Sequence, residues 1–137
     1  MNNILTNKAA SLERCLKRIR DEYTGFEDAL LTNFTKQDSI VLNLERSCQI
    51  CIDMALVVIK SQHWGIPQNT RDVFALLHDQ KVLDNALSTR LQKMVGFRNI
   101  AVHEYQNLNM AIIRNIVETR LDDFISFSRI LIQKFGQ

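Results

Sequence analysis

The chain has 137 residues, of which 46% are hydrophobic and 23% are charged, and this is the composition of one folded domain rather than of a disordered chain. Four glycines and a single proline are too few for the many turns of a β-sandwich or β-barrel, so we expect a mostly helical fold. Seventeen basic residues against 15 acidic ones give a formal net charge of +2, which excludes a protein that coats nucleic acid through its overall charge.

The cysteines and the apolar segments predict a cytoplasmic protein that does not enter a membrane. Three cysteines, an odd number, cannot form a closed set of disulfides, and residues 1–8 lack the apolar run of a signal peptide. The longest apolar stretch, residues 50–59, contains Asp53 and has about half the length that crossing a bilayer requires.

Apolar residues recur every three or four positions along most of the chain, which predicts four long helices and one short helix. The first helix is expected to end near Gly25, and the segment around Pro67 separates the second helix from the short one. Short connections indicate an antiparallel up-and-down bundle, and the lack of linkers and repeats predicts a single domain over residues 1–137. The predicted helices span, in chain order, residues 4–23, 35–62, 70–78, 85–102 and 109–134.

The second predicted helix is apolar on almost every side. It begins with Thr35 to Asp38, which resembles a capping box with aspartate in place of the usual glutamate. A helix so apolar either lies at the centre of the bundle or is covered on a second side by another subunit. Cys48 and Cys51 have a spacing that can bind a metal or cycle a disulfide, but they lie on the apolar seam and no second pair of ligands follows. We therefore interpret both as core residues.

The fourth predicted helix carries Arg98 inside its apolar stripe and the polar pair Asn99 and His103 on another side. A guanidinium is costly to bury without a partner, and residues 85–103 contain no acid. Two alternatives follow. Arg98 is open to bind an anion, or it extends its charged end to solvent or pairs with an acid on the second helix, such as Asp38, Glu45 or Asp53.

Arg98 is a fixed cation that can hold a phosphate, and His103 is a group that can move protons near neutral pH. On one ideal helix their side chains point about 140° apart. Either the helix unwinds before His103, or two symmetry-related helices supply one catalytic set. Arg90 and Lys93 share this helix with Arg98, and with no acid among them they predict a locally positive cleft where RNA, if it is a ligand, would bind.

The order Arg98-Asn99, then His103 and Tyr105, resembles the Arg-polar-x-x-x-His-x-Tyr motif of the HEPN-domain ribonuclease toxins, in particular the HepT-like branch. The resemblance covers nearly the whole chain. It includes the long second helix with its cysteines, the segment Gly65-Ile66-Pro67, and the residues that follow it, namely Arg71, Asp72, Phe74 and Leu77.

The resemblance implies an all-helical, HEPN-like bundle that forms a homodimer along the motif helix, so that residues of two chains line one cleft. It also implies a metal-independent endoribonuclease that needs no cofactor, with Arg98 and His103 catalytic and Asn99 the polar residue beside Arg98. Such proteins are the toxins of type VII toxin–antitoxin systems, in which an MNT-type nucleotidyltransferase antitoxin transfers AMP from ATP to the motif tyrosine, here Tyr105. We expect the AMP to inhibit by occupying and neutralising the phosphate site.

Two other functions fit the same residues. The chain could be the non-catalytic helical subunit of a two-part nucleotidyltransferase, with Arg98 holding a phosphate and Tyr105 stacking on a base. It could also be a structural dimer whose polar cluster fixes the register of its helices. Cleavage of RNA in EDTA, abolished by His103→Ala, would separate the first function from these two.

Overall fold

In the computed structural model, which describes residues 2–136, the chain folds into α-helices joined by short connections, and no β-strand is present within that range. This confirms the all-helical fold. None of the helices in this range combines the length and apolar character needed to cross a membrane. The helices, in chain order, are α1 (Asn2–Tyr23), α2 (Phe34–Gln62), α3 (Asp72–Asp79), α4 (Asn85–His103), α5 (Met110–Thr119) and α6 (Leu121–Phe135).

The long helix α2 lies at the centre and packs against α1, α3, α4 and α6. Of the two alternatives that its apolar sequence allowed, the central position is confirmed, because twelve of its residues are buried by the same chain. The predicted capping box at Thr35 is wrong. Asn33 caps α2 instead, since its extended backbone lets its side chain accept the backbone N–H of Lys36 at 3.1 Å. The helix ends at His63, which adopts a left-handed conformation with φ 58°.

The connection between α1 and α2 contains a short 3-10 helix, Glu27–Leu31, that the apolar pattern did not predict. The first helix ends near Gly25, as expected, and this glycine has a φ of 86°, which a residue with a side chain rarely adopts. Leu30 is buried and anchors the 3-10 helix, so the connection is part of the packed structure.

The fifth predicted helix is two helices, α5 and α6, separated at Arg120. The backbone of Arg120 leaves the helical region, with φ −121° and ψ −2°, while the Thr119 hydroxyl donates to the Asn115 carbonyl at 2.7 Å. A threonine bonded back to the preceding turn in this way often bends a helix. The buried residues keep their spacing through the break, which is why the pattern alone predicted one helix: Ile113, Val117, Leu121, Phe124, Ser128 and Leu131.

Cys48 and Cys51 lie in the core between α2 and α4, with 3% and 0% of their surfaces exposed. The Cys48 thiol donates to the Met94 carbonyl at 3.7 Å. Burial raises the pKa of Cys48 to about 12, so the thiol stays protonated and inert. The interpretation of these cysteines as core residues is confirmed. Among residues 2–136, no three His, Cys, Asp or Glu side chains come close enough together to hold a metal ion.

Candidate functional site

Arg98 is partly buried where α4 crosses α2, and its guanidinium is held by amides rather than by an acid. Its Nη2 donates to Oε1 of Gln49 at 2.6 Å, and its Nη1 donates to Oδ1 of Asn99 at 3.0 Å. No ion pair within residues 2–136 includes Arg98. The alternative that paired Arg98 with an acid on the second helix (Asp38, Glu45 or Asp53) is therefore wrong.

Gln49 is a residue of this candidate site that was not singled out from the sequence. Its side chain bridges two charged groups, because Oε1 accepts from Arg98 while Nε2 donates to Oδ1 of Asp53 at 2.9 Å. The glutamine fixes the position of the guanidinium without neutralising it. The only sequence signal was a polar residue between Cys48 and Ile50.

The third nitrogen of the Arg98 guanidinium, Nε, is buried, and its N–H has no partner in the described part of the chain. A buried donor without an acceptor is unfavourable by about 1–3 kcal/mol. The hydrogen bonds to Gln49 and Asn99 orient a guanidinium whose charge no acid offsets within residues 2–136. The surroundings of Arg98 thus fit the first alternative, a guanidinium that is available to an anion because no acid of the described chain pairs with it.

His103 is the last residue of α4, and its side chain is exposed. The helix does not unwind before it, because the backbone N–H of Glu104 still donates to the Ile100 carbonyl at 2.8 Å. The alternative that α4 unwinds before His103, and so brings Arg98 and His103 together within one chain, is therefore wrong. Within one chain the two side chains remain splayed by about 140°.

Tyr105 begins a short 3-10 helix, Tyr105–Asn107, directly after α4. Its hydroxyl donates to Oδ1 of Asp38, in the second turn of α2, at 2.5 Å. Burial and then the Asp38 carboxylate raise the pKa of Tyr105 to about 12, because both disfavour the phenolate. Asp38 does face the motif, as the sequence suggested, but its partner is the tyrosine.

Arg98 and Tyr105 both contact the same face of α2. Gln49 follows Asp38 by eleven residues, which corresponds to about 20° of rotation and about 16 Å of length along an α-helix. The central helix therefore holds the arginine and the tyrosine on one side of the molecule, in line but well separated. His103 lies apart from this row.

A groove of about 460 Å³ lies on another side of α4, between this helix and α5, and includes Arg90 and Lys93. The prediction that Arg90 is unopposed is wrong, because its Nε donates to both carboxylate oxygens of Asp123 on α6 at 3.0 Å. This hydrogen bond raises the pKa of Arg90 further, and the carboxylate offsets its charge. Lys93 is exposed and forms no ion pair within residues 2–136.

Comparison with known proteins identifies relatives over almost the whole chain. The family described as Ribonuclease HepT-like matches residues 12–131. The mRNA nuclease HepT of Shewanella oneidensis is 47% identical over 127 residues, which cover 93% of this chain and 95% of that protein.

Two solved structures are also similar to this chain over almost its whole length. The tri-AMPylated HEPN toxin of Shewanella oneidensis, in complex with an MNT antitoxin, is 45% identical and superposes with a TM-score of 0.92 over 97% of this chain and 99% of that one. A toxin–antitoxin crystal structure with AMP-PNP is 44% identical, with a TM-score of 0.92 over 96% of this chain and 99% of that one.

Proposed function

Because the chain belongs to the HepT-like ribonuclease family, as its motif indicated, we propose that it is an endoribonuclease and the toxin of a toxin–antitoxin pair. Its substrate is RNA, its partner is an MNT-type nucleotidyltransferase antitoxin, and the cytoplasm, where both meet it, is its compartment. The whole chain, residues 1–137, acts as one domain. The relative in Shewanella oneidensis is an mRNA nuclease, and a related HEPN toxin forms a complex with an MNT antitoxin.

The observation that carries this proposal is the state of Arg98. Its guanidinium is held in place by Gln49 and Asn99, keeps its full charge, and has a buried N–H without an acceptor among the described residues. A preorganised cation of this kind stabilises the charge that grows on a phosphate during cleavage. His103, exposed at the end of the same helix, moves the proton of the 2′-hydroxyl or of the leaving oxygen.

The splay of Arg98 and His103 on an intact helix favours a site shared by two chains. A twofold axis beside the end of α4 would place His103 of one copy near Arg98 of the other. Three apolar side chains at this end are exposed and offer an interface: Ile100 at 38%, Val102 at 41% and Ile112 at 54%. We infer that the active form is a homodimer along α4.

Cleavage of RNA in the presence of EDTA tests the proposed activity. We expect cleavage by the wild-type chain and a loss of at least about 100-fold in both Arg98→Ala and His103→Ala, since each removes a group that acts in the transition state. The control is Arg129→Gln, an exposed residue on α6, which should cleave normally. Unchanged cleavage by His103→Ala would contradict the assignment, and a wild-type chain that binds nucleotide without cleaving RNA would support the non-catalytic alternative.

Tyr105 is the proposed site of AMPylation. Its hydroxyl oxygen attacks the α-phosphorus of ATP, the bond to pyrophosphate breaks, and the phenolic proton passes to the Asp38 carboxylate, which already accepts it in a hydrogen bond. Proton removal matters here because a tyrosine hydroxyl is protonated at neutral pH, and the raised pKa of Tyr105 makes its proton harder to remove. The hydroxyl is reachable, since 39% of the tyrosine is exposed.

The distance along α2 between Tyr105 and Arg98 affects how AMP would inhibit RNA cleavage. The phosphate of a first AMP group is bonded to Tyr105 and would lie beside Asp38, about 16 Å along the helix from the position of Arg98. Further AMP units would carry phosphates toward Arg98, and a related toxin is tri-AMPylated. We therefore expect inhibition of the phosphate site to grow with the number of units.

Intact-mass analysis of the AMPylated chain, combined with cleavage assays of each species, measures this dependence. Activity should fall stepwise as units are added. Complete inhibition by one AMP unit would contradict the expectation that a single unit on Tyr105 lies too far from Arg98 to block the phosphate site. Full inhibition of Tyr105→Phe by an active antitoxin with ATP, without a stable complex, would exclude this tyrosine as the switch.

A further inference from the structure

A second basic surface lies outside the motif helix, in a groove of about 520 Å³ between α1 and α2. Three arginines line it, Arg14 and Arg18 from α1 and Arg46 from α2, and Cys15 lies among them. We call this surface the arginine groove. No carboxylate is among its lining residues within the described part of the chain.

The charges of the arginine groove are not neutralised. None of its three guanidinium groups takes part in an ion pair within residues 2–136, and the nearby Asp21 pairs with Lys17 at 2.7 Å. Arg14 donates to the Ser11 hydroxyl at 3.0 Å, which orients it without removing its charge.

The surroundings of Cys15 show that the three arginines lie close to one another. Burial raises the pKa of this thiol, while the charges of Arg46, Arg14 and Arg18 each pull that pKa down. Three cations around one partly buried thiol create a concentrated positive potential in a protein of net charge +2.

One side chain, Gln49, connects the arginine groove to Arg98. Gln49 lines the groove, and the same side chain accepts the hydrogen bond from Nη2 of Arg98 at 2.6 Å. An anionic chain lying in the groove is therefore one side chain away from the guanidinium proposed to act on the phosphate. Arg14 and Arg18, one helical turn apart at about 6 Å, form a row along the groove.

We propose that the arginine groove binds the backbone phosphates of single-stranded RNA next to the cleaved bond and so delivers the strand to Arg98. This inference rests on the proposed ribonuclease function. Three arginines without acids match a polyanion. A second copy of the same groove would set arginines against arginines, so the groove does not fit the centre of a twofold interface between copies of this chain.

The salt dependence of RNA binding tests the proposal. In a His103→Ala background, which prevents cleavage, Arg14, Arg18 and Arg46 are replaced together by glutamine, and binding of a short single-stranded RNA is measured by fluorescence anisotropy. The slope of log K against log salt should become shallower by about 2, because each phosphate that an arginine neutralises contributes about 0.7 to the slope. Arg129→Gln, which removes one charge elsewhere, is the matched control.

Cleavage kinetics separate this inference from the ribonuclease proposal. In the catalytically intact chain, the triple glutamine variant should raise KM for a long RNA at least about 10-fold and leave kcat within about 2-fold. It should cleave a dinucleotide as the wild type does, because a dinucleotide does not reach the groove. If wild type cleaves RNA and the variant shows an unchanged KM and salt slope, the groove proposal is wrong and the ribonuclease stands. Loss of antitoxin binding with unchanged RNA binding would overturn it in favour of an acidic protein partner.

Discussion

Replacing Gln49 by methionine should lower ribonuclease activity although both proposed catalytic side chains, Arg98 and His103, remain. Methionine has a similar length but no acceptor, so Arg98 loses the 2.6 Å hydrogen bond that fixes its guanidinium. A hydrogen bond to a charged group contributes about 1.5–3 kcal/mol. If that free energy holds the cation in its catalytic position, kcat/KM should fall roughly 10- to 150-fold, since each 1.36 kcal/mol corresponds to about tenfold in rate.

The measurement is steady-state cleavage of a fluorogenic RNA, with thermal unfolding recorded on the same samples. Gln92→Met is the matched control, because Gln92 lies on α4 and donates to the Ser88 hydroxyl, away from the guanidinium. The control should keep wild-type kcat/KM. A Gln49→Met chain that is less stable but cleaves at the wild-type rate would refute the reasoning and reduce the glutamine to a packing residue.

Two further predictions use polar contacts of the same kind. In a Tyr23→Phe background, where Tyr105 alone titrates, Asp38→Asn should lower the phenol pKa from about 12 toward its ordinary value, measured by phenolate absorbance. Because the folded state holds the Tyr105 proton more tightly than the unfolded state, stability is lost as pH rises from about 10 to 12, and this loss should be smaller in the variant. An unchanged phenol titration would contradict the contact between Tyr105 and Asp38. Asp123→Asn should lower the free energy of unfolding by about 1.5–3 kcal/mol in urea with kcat unchanged, because it breaks the pair with Arg90; unchanged stability would contradict it.

The helices were predictable to within a few residues because a buried stripe must repeat with the helical period. That signal says which residues are buried and nothing about the backbone between them. The break at Arg120 therefore escaped it, since Val117, Leu121 and Phe124 keep their spacing on either side. The cap of α2 was misplaced for a related reason, because both Asn33 and Thr35 are good capping residues and only the backbone angles decide between them.

The motif residues were predictable from the sequence, but their partners were not. Charge pairing favours acids as partners of Arg98, whereas the fold provides a neutral amide, Gln49, that is 49 residues away in the chain. The helix that carries Arg90 contains no acid, yet Asp123 on α6 reaches its guanidinium. Contacts between helices that are distant in sequence depend on packing, which composition and spacing do not contain.

Arg98 illustrates how the site departs from what stability alone would select. Its guanidinium occupies the apolar stripe of α4, and one of its N–H groups is buried without an acceptor in the described part of the chain. Replacing one partner of a buried polar pair leaves the other unsatisfied, whereas replacing both with apolar groups is often neutral or stabilising. We therefore expect the double variant Arg98→Met with Gln49→Met to unfold at least as high in temperature as Gln49→Met alone, while cleaving no RNA. A double variant that is less stable than Gln49→Met would mean that Arg98 is needed for the fold, and the guanidinium would no longer count as a group retained for its action on phosphate.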